Sequence, residues 1–217
     1  AVPANVLAVQ ISVRGQETGD LQFMAQYGAL SASAMIIVSD APPKMVINEI
    51  NFDMENVESL EFVELYNSSS VPVALNGWNL EFINGNNGQA YEIIPLSAAP
   101  EPMLAPGGYL VIGDPAVADL LPPNTPFIAI ESAGNDHDIQ NGPSDGIKLT
   151  NGDMVMDSVS YDGTIDGVTE GAHGAPDEPD DDANAGIGRC PNGADTDDNR
   201  ADFVVKALTA GAENQCD

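Results

Sequence analysis

An all-β fold, a β-sandwich or a barrel, is predicted by three features of the sequence. Short apolar-rich segments recur from Met45 onward with Gly, Pro, Asn and Asp between them; several are dominated by Val, Ile, Phe and Tyr; and no long stretch carries the 3.6-residue apolar period of an amphipathic helix. With 217 residues and 43% apolar content, the chain can bury a sizeable core.

Residues 1–44 stand apart as an apolar N-terminal arm. Leu7, Val9, Ile11 and Val13 alternate with Ala8, Gln10, Ser12 and Arg14, the two-residue period of an amphipathic strand. After a turn-like Gly15-Gln16-Glu17-Thr18-Gly19-Asp20, the alternation resumes with Leu21, Phe23, Ala25 and Tyr27, so a hairpin is expected. Ala34 to Val38 reads as a third strand, although the Ala-rich run from Ala29 to Met35 also tolerates a helix. Pro42-Pro43 then suits an extended connector. About forty residues without a cysteine do not enclose a core of their own. The arm therefore adds strands to its own domain, pairs with a neighbouring subunit by strand addition, or is the remnant of a preceding domain.

In residues 45–217, strands are expected at 46–52, 60–66, 78–83, 90–94, 109–113, 127–130, 146–150 and 154–161, the last two joined by Asn151-Gly152-Asp153. Residues 162–187 form a Gly-rich, acidic surface loop, whose run Asp177-Glu178-Pro179-Asp180-Asp181-Asp182 would repel itself if packed. The tail then returns to the body. A disulfide between Cys190 and Cys216 closes a loop of about 27 residues, stabilises by roughly 3.5 kcal/mol on the loop-entropy model, and implies an oxidising, extracytoplasmic setting.

Charge excludes some partners. With 34 Asp and Glu against 6 Lys and Arg, the net charge of -28 repels phosphate backbones and anionic membranes, which argues against nucleic acid as a direct partner. No segment reaches the roughly 20 consecutive apolar residues of a membrane-spanning helix, so membrane insertion is not expected. The first residue is Ala1, with no basic and apolar leader, which fits a mature secreted or cell-surface protein whose signal peptide has been removed.

Taken in order, several stretches resemble the lamin tail domain family, specifically its bacterial secreted members. They are Val46-Ile47-Asn48-Glu49-Ile50, Glu61-Phe62-Val63-Glu64-Leu65-Tyr66-Asn67, Leu75-Asn76-Gly77-Trp78-Asn79-Leu80, Leu104 to Ile112, Asp157-Ser158-Val159-Ser160-Tyr161, and a tail from Gly188 to Asn199. Their spacing carries the resemblance across residues 46–216; the arm lies outside it. The resemblance implies an immunoglobulin-like β-sandwich. It implies little about activity, because the family is a binding and structural module attached to varied partners.

No Gly-x-Ser-x-Gly elbow, P-loop or Cys–His pair is present, and no enzymatic activity is expected. Glu61 and Glu64, three apart in a strand, face opposite sides, which breaks a carboxylate pair unless a bulge intervenes. Glu49 and Glu64 match the motif of the family that the chain resembles, and that resemblance implies a structural role such as bonding to backbone or turn groups. Asp195, Asp197, Asp198, Asn199 and Asp202 place oxygen ligands where they would wrap a hard cation such as Ca²⁺, with Asp180, Asp181 and Asp182 as secondary candidates. The same run also reads as a polar turn whose side chains bond nearby N–H groups. His137 and His173 lack companion zinc ligands. Trp78, Phe82 and Tyr109 read as core rather than as a sugar platform, and Asn67-Ser68-Ser69 matches a glycosylation sequon. The expected function is that of an extracellular structural subunit assembling with copies of itself. A monomeric binding module and an accessory domain of a larger secreted hydrolase are the alternatives.

Overall fold

The structure, a computed structural model, describes residues 19–27, 30–38, 44–52, 60–130, 139–140, 144–176 and 185–216. The chain divides into two compact units, Ala1–Pro42 and Pro43–Asp217. In the first, β1 (Gly19–Tyr27) pairs antiparallel with β2 (Leu30–Val38), Tyr27 opposite Leu30 and Gly19 opposite Val38. The partner of the Leu21–Tyr27 segment is thus the stretch that follows it. Over residues 30–35 the helix alternative loses, because Ile36, Ile37 and Val38 favour the strand and nine residues of pairing override the helix preference of alanine. Residues Leu7, Val9, Ile11 and Val13 lie outside the described residues; Leu21 and Phe23 lie on β1.

The second unit contains β3 (Met45–Asn51), β4 (Phe62–Asn67), β5 (Val73–Ala74), β6 (Trp78–Asn84), β7 (Gln89–Pro95), β8 (Met103–Leu104), β9 (Tyr109–Gly113), β10 (Phe127–Ala129), β11 (Asp145–Asn151), β12 (Met154–Tyr161), β13 (Ala185–Arg189), the short helix α1 (Asn199–Asp202) and β14 (Phe203–Ala207). They form a six-stranded sheet in the order β10-β9-β4-β3-β13-β14, a four-stranded sheet β12-β11-β6-β7 and a small β5-β8 ribbon. The all-β sandwich predicted from the strand spacing is observed. One apolar cluster joins Ile47, Ile50, Val63, Leu65, Ile112, Ile187 and Phe203 of the first sheet to Trp78, Leu80, Phe82, Ile147, Leu149, Val159 and Tyr161 of the second.

Registers follow from alternation. Opposed residues share a face, so Val205, Ile187, Ile50, Val63, Ile112 and Ile128 make one inward row across all six strands. At Asn48 the register of β3 against β4 slips: Ile47 faces Leu65 but Glu49 faces Glu64, which marks a β-bulge with Asn48 as the extra residue. The bulge sets Glu49 and Glu64 side by side on the outward face.

The acidic loop expected over residues 162–187 gives way at Ala185 to β13, a strand that sequence reading missed. Ala185-Gly186-Ile187-Gly188-Arg189 has little intrinsic strand preference, and it is extended because it is paired on both sides, by β3 and β14. Gly188 is required there, since a Cβ would sit 2.8 Å from Lys206 Cδ and 2.9 Å from Asn214 Nδ2. Cys190 and Cys216 form a disulfide with Cα atoms 5.6 Å apart, fastening the tail to the end of β13. Replacing both by serine is expected to lower the unfolding free energy by about 3.5 kcal/mol on the loop-entropy model, read as a reduced urea midpoint; an unchanged midpoint would show that side-chain bonds alone hold the tail.

Candidate functional site

Asp157, Val159 and Tyr161 alternate along β12 toward the core, while a register shift against β11 between Leu149 and Thr150 leaves Val155 exposed, so a carboxylate stands on the inward face beside apolar side chains. Opposite it, on the inward face of β13, is Arg189, fully buried. Its guanidinium donates to Asp157 Oδ1 (2.7 Å), Asp202 Oδ2 (2.8 Å), Asp195 Oδ1 (3.4 Å) and Ala194 O (3.0 Å), while Nε donates to Ile47 O (2.8 Å). Glu170 Oε2 lies 4.0 Å away, and the Phe203 ring stacks below at 4.7 Å. The Ile47 N–H, beside the Asn48 bulge, donates to Asp157 Oδ2 (2.6 Å). One side chain therefore ties both sheets to the turn before α1.

Carboxylate oxygens of Asp157, Glu170 and Asp195 come within 4.8 Å of one another, a spacing suited to a cation. Arg189 supplies that cation. Four carboxylates face one guanidinium, however, and they do not all stay ionised. Burial pushes Asp157 up to about 8, with Arg189 only partly offsetting it. Burial, reinforced by the charge of Asp195, raises Glu170 to about 7. At Asp195 burial also opposes ionisation, but Arg189 and Lys44 outweigh it and hold the carboxyl below its ordinary value. Lys44 Nζ sits 3.1 Å from Asp195, immediately before β3.

A second polar layer covers the outward face of the six-stranded sheet. Lys206 Nζ (2.9 Å) and the Thr209 N–H (2.8 Å) donate to Glu49 Oε1. The Gly211 N–H donates to Glu64 Oε2 (2.6 Å), and Asn48 Nδ2 donates to Glu64 Oε1 (2.7 Å). Asn214 Nδ2 donates to both Asn48 O (3.1 Å) and Arg189 O (2.9 Å). Burial raises Glu64 to about 8, the bond from Asn48 offsetting part of the rise. Glu49 and Glu64 thus bind the backbone of the C-terminal tail, the role expected of them.

The five residues proposed as Ca²⁺ ligands share one turn and helix, where protein donors engage the side-chain oxygens of four of them, all but Asp197. Asp195 and Asp202 hold Arg189, and Asp202 also accepts from the Thr196 N–H (2.8 Å) and hydroxyl (2.7 Å). Asp198 caps α1 by accepting from the N–H groups of Arg200 and Ala201. Asn199 turns inward to β12, and Asp197 donates its N–H to Asp195 Oδ1 (3.3 Å). Calcium binding at this turn would have to displace these contacts. Asp180, Asp181, Asp182 and His137 lie outside the described residues.

Of the aromatic candidates, Trp78 and Phe82 fall into the core as expected, whereas Tyr109 does not: it alternates with inward Leu110 and lies on the outward face of β9. Trp78 and Phe82 are buried; half-buried Tyr109 lies beside Tyr66, ring centroids 4.9 Å apart, and accepts from Asn192 Nδ2 (3.2 Å). His173 lines an open surface pocket with Thr164 and Arg200. Asn67 is fully buried, its amide nitrogen donating to Val71 O and Leu104 O (both 2.9 Å), so the sequon is closed to glycosylation in the folded chain. Sequence reading missed Arg189 and Asp157 as partners. The available signals were a carboxylate in an apolar row and an arginine beside a cysteine in a chain with six basic residues.

The two sheets form an immunoglobulin-like sandwich, and its polar centre around Arg189 is buried and bonded within the chain. The family model of the lamin tail domain matches residues 39–163, more than half of the chain, and the protein belongs to the lamin tail domain family. That match covers β3 to β12; β13, α1, β14 and the tail lie beyond it, although the resemblance read from the sequence extended to residue 216. Comparison with curated proteins finds no match.

Arg189→Met leaves buried carboxylates without their cation and is expected to cost about 3–5 kcal/mol at neutral pH, with a smaller loss at pH 5, where the carboxyls bind protons; equal urea midpoints for variant and parent would refute this role. The raised groups also fix a pH dependence in the parent protein. Glu64, Asp157 and Glu170 bind protons more tightly folded than unfolded, so the stability they contribute is complete below their ordinary values near 4 and is lost as pH rises through about 7 to 8. Thermal midpoints should therefore fall between pH 5 and pH 9, apart from a separate loss below about pH 4 as Asp195 protonates. A midpoint that rises across that interval would show these carboxyls ionised in the folded protein.

Proposed function

We propose that this chain is an extracellular structural subunit that assembles with copies of itself by lending its N-terminal arm as a strand. The observation that carries this reading is the division of the chain: a unit of residues 1–42 whose described structure is one two-stranded hairpin, next to a body with its own core. A two-stranded hairpin is marginal in water by itself and gains stability by joining a larger sheet. Charge supports the same reading. Within residues 1–16 the only charged side chain is Arg14, in a chain of net charge -28, so this segment approaches another copy without the repulsion the bodies feel. The disulfide is compatible with an oxidising extracellular setting, and among the described residues no helix is long and apolar enough to cross a membrane. Lending a strand from one copy to the next is a heterologous contact, which produces rings when the rotation closes and filaments when it does not.

Size-exclusion chromatography and negative-stain images of the full chain and of a chain lacking residues 1–42 test this. The full chain should form rings or filaments and the shortened one a folded monomer. A shortened chain that still assembles, or a full chain that runs as a monomer, would sink the reading.

A further inference from the structure

The sandwich has several sheet edges, and they are not equally open to an added strand. In β12, the terminal strand of the four-stranded sheet, the far half is already bonded by side chains and loop: the Ser160 N–H donates to Asn199 Oδ1 (3.2 Å), Asn199 Nδ2 donates to Ser158 O (2.9 Å), and the Ala175 N–H donates to Ser160 O (2.7 Å). One asparagine amide here takes the place of a neighbouring strand. At the opposite edge of that sheet, β7 slips register against β6 between Phe82 and Ile83, carries exposed Glu92 near its middle and ends at Pro95, three devices that blunt an edge. In the six-stranded sheet, β10 offers only three residues and pairs parallel to β9.

β14 differs from these. Its five residues, Phe203-Val204-Val205-Lys206-Ala207, pair with β13 without a register shift and contain no proline. Its one charge, Lys206, turns to the outward face and is bound by Glu49. Val205 stands at the end of the inward apolar row and is the one member left uncovered, 43% exposed where the other five are 7% or less. The row is complete on β10 and unfinished on β14.

We propose, on the basis of the assembly reading above, that the outer edge of β14 receives residues 7–13 of a second copy, whose row Leu7, Val9, Ile11 and Val13 continues the core past Val205. Strand addition of this kind draws affinity from main-chain hydrogen bonds and register from alternate side chains, and this segment alternates apolar and small or polar residues throughout. Charge selects the same occupant, since these seven residues carry none.

An inward-pointing charge at an edge prevents pairing while a partly exposed position tolerates it. In the full chain, Val205→Lys is expected to abolish the assembled species and leave a folded monomer, whereas Ile93→Lys on β7 leaves assembly intact. Because both native cysteines are bonded to each other, introduced thiols report proximity directly. Co-expressed Val9→Cys and Val205→Cys chains should give a disulfide-linked pair of chains on a non-reducing gel, and Val9→Cys with Ile93→Cys should not. Assembly that survives Val205→Lys but is lost without residues 1–42 would overturn the assignment to β14 while leaving the arm reading in place. A monomeric full chain would remove both.

Discussion

The contact between the Arg189 guanidinium and the Asp157 carboxyl is the one on which the remaining architecture depends. Asp157 stands beside apolar Leu149 and Val159 on the inward face of one sheet, and its carboxyl is accommodated there by the guanidinium that reaches it from the other sheet. The same guanidinium holds the carbonyl of Ile47 and the carboxylate of Asp202, so its five bonds are distributed over β3, β12, the turn after the disulfide and α1. A lysine, with a compact ammonium and no fork, has no comparable way to satisfy these acceptors at once. Excess carboxylate around the cation makes this centre sensitive to protons as well as to mutation, because neutrality is reached by protonating one or more of the acids.

The segment beyond residue 163 completes the domain. Without β13 and β14 the six-stranded sheet would end at β3, a strand buried along its whole length, and the outward face carrying Glu49 and Glu64 would lie open. The tail bonds both carboxylates through Thr209 and Gly211 and is pinned by the disulfide. Arg189 belongs to this added segment, while Ile47 and Asp157 belong to the part matched by the family model. The join between the two parts is therefore charged and buried rather than a flexible linkage.

Much of the sandwich was legible in the chain because its signals are local. Phe62, Val63, Leu65 and Tyr66 favour a strand whatever surrounds them, and Asn151-Gly152 marks a hairpin without reference to the rest. β13 was not legible: two glycines and an alanine form a strand only between two partners, one of them more than a hundred residues earlier. The centre around Arg189 was hidden for the same reason, since its acids come from positions 157, 170, 195 and 202 and meet only after the sheets close. Within the turn from Asp195 to Asp202, oxygen-rich residues were visible as a set, but whether they face a cation from solution or one from the chain is decided by Arg189, which carries no local mark of burial. The bulge at Asn48 was likewise silent, and it is what turns Glu49 and Glu64 into neighbours.

Lys44, the residue immediately before β3, gives the body a definite mechanical entrance. Tension arriving through the preceding residues acts along the axis of β3, which is flanked on both sides by antiparallel strands. Its ladder bonds would be stretched side by side in shear rather than opened one after another as in an unzipping hairpin. The first contacts to feel the pull are Lys44 with Asp195 and Ile47 with Asp157 and Arg189, so force is passed at once from one strand into both sheets and the tail. Resistance to rupture is a matter of the unfolding barrier, and here that barrier begins where the chain enters.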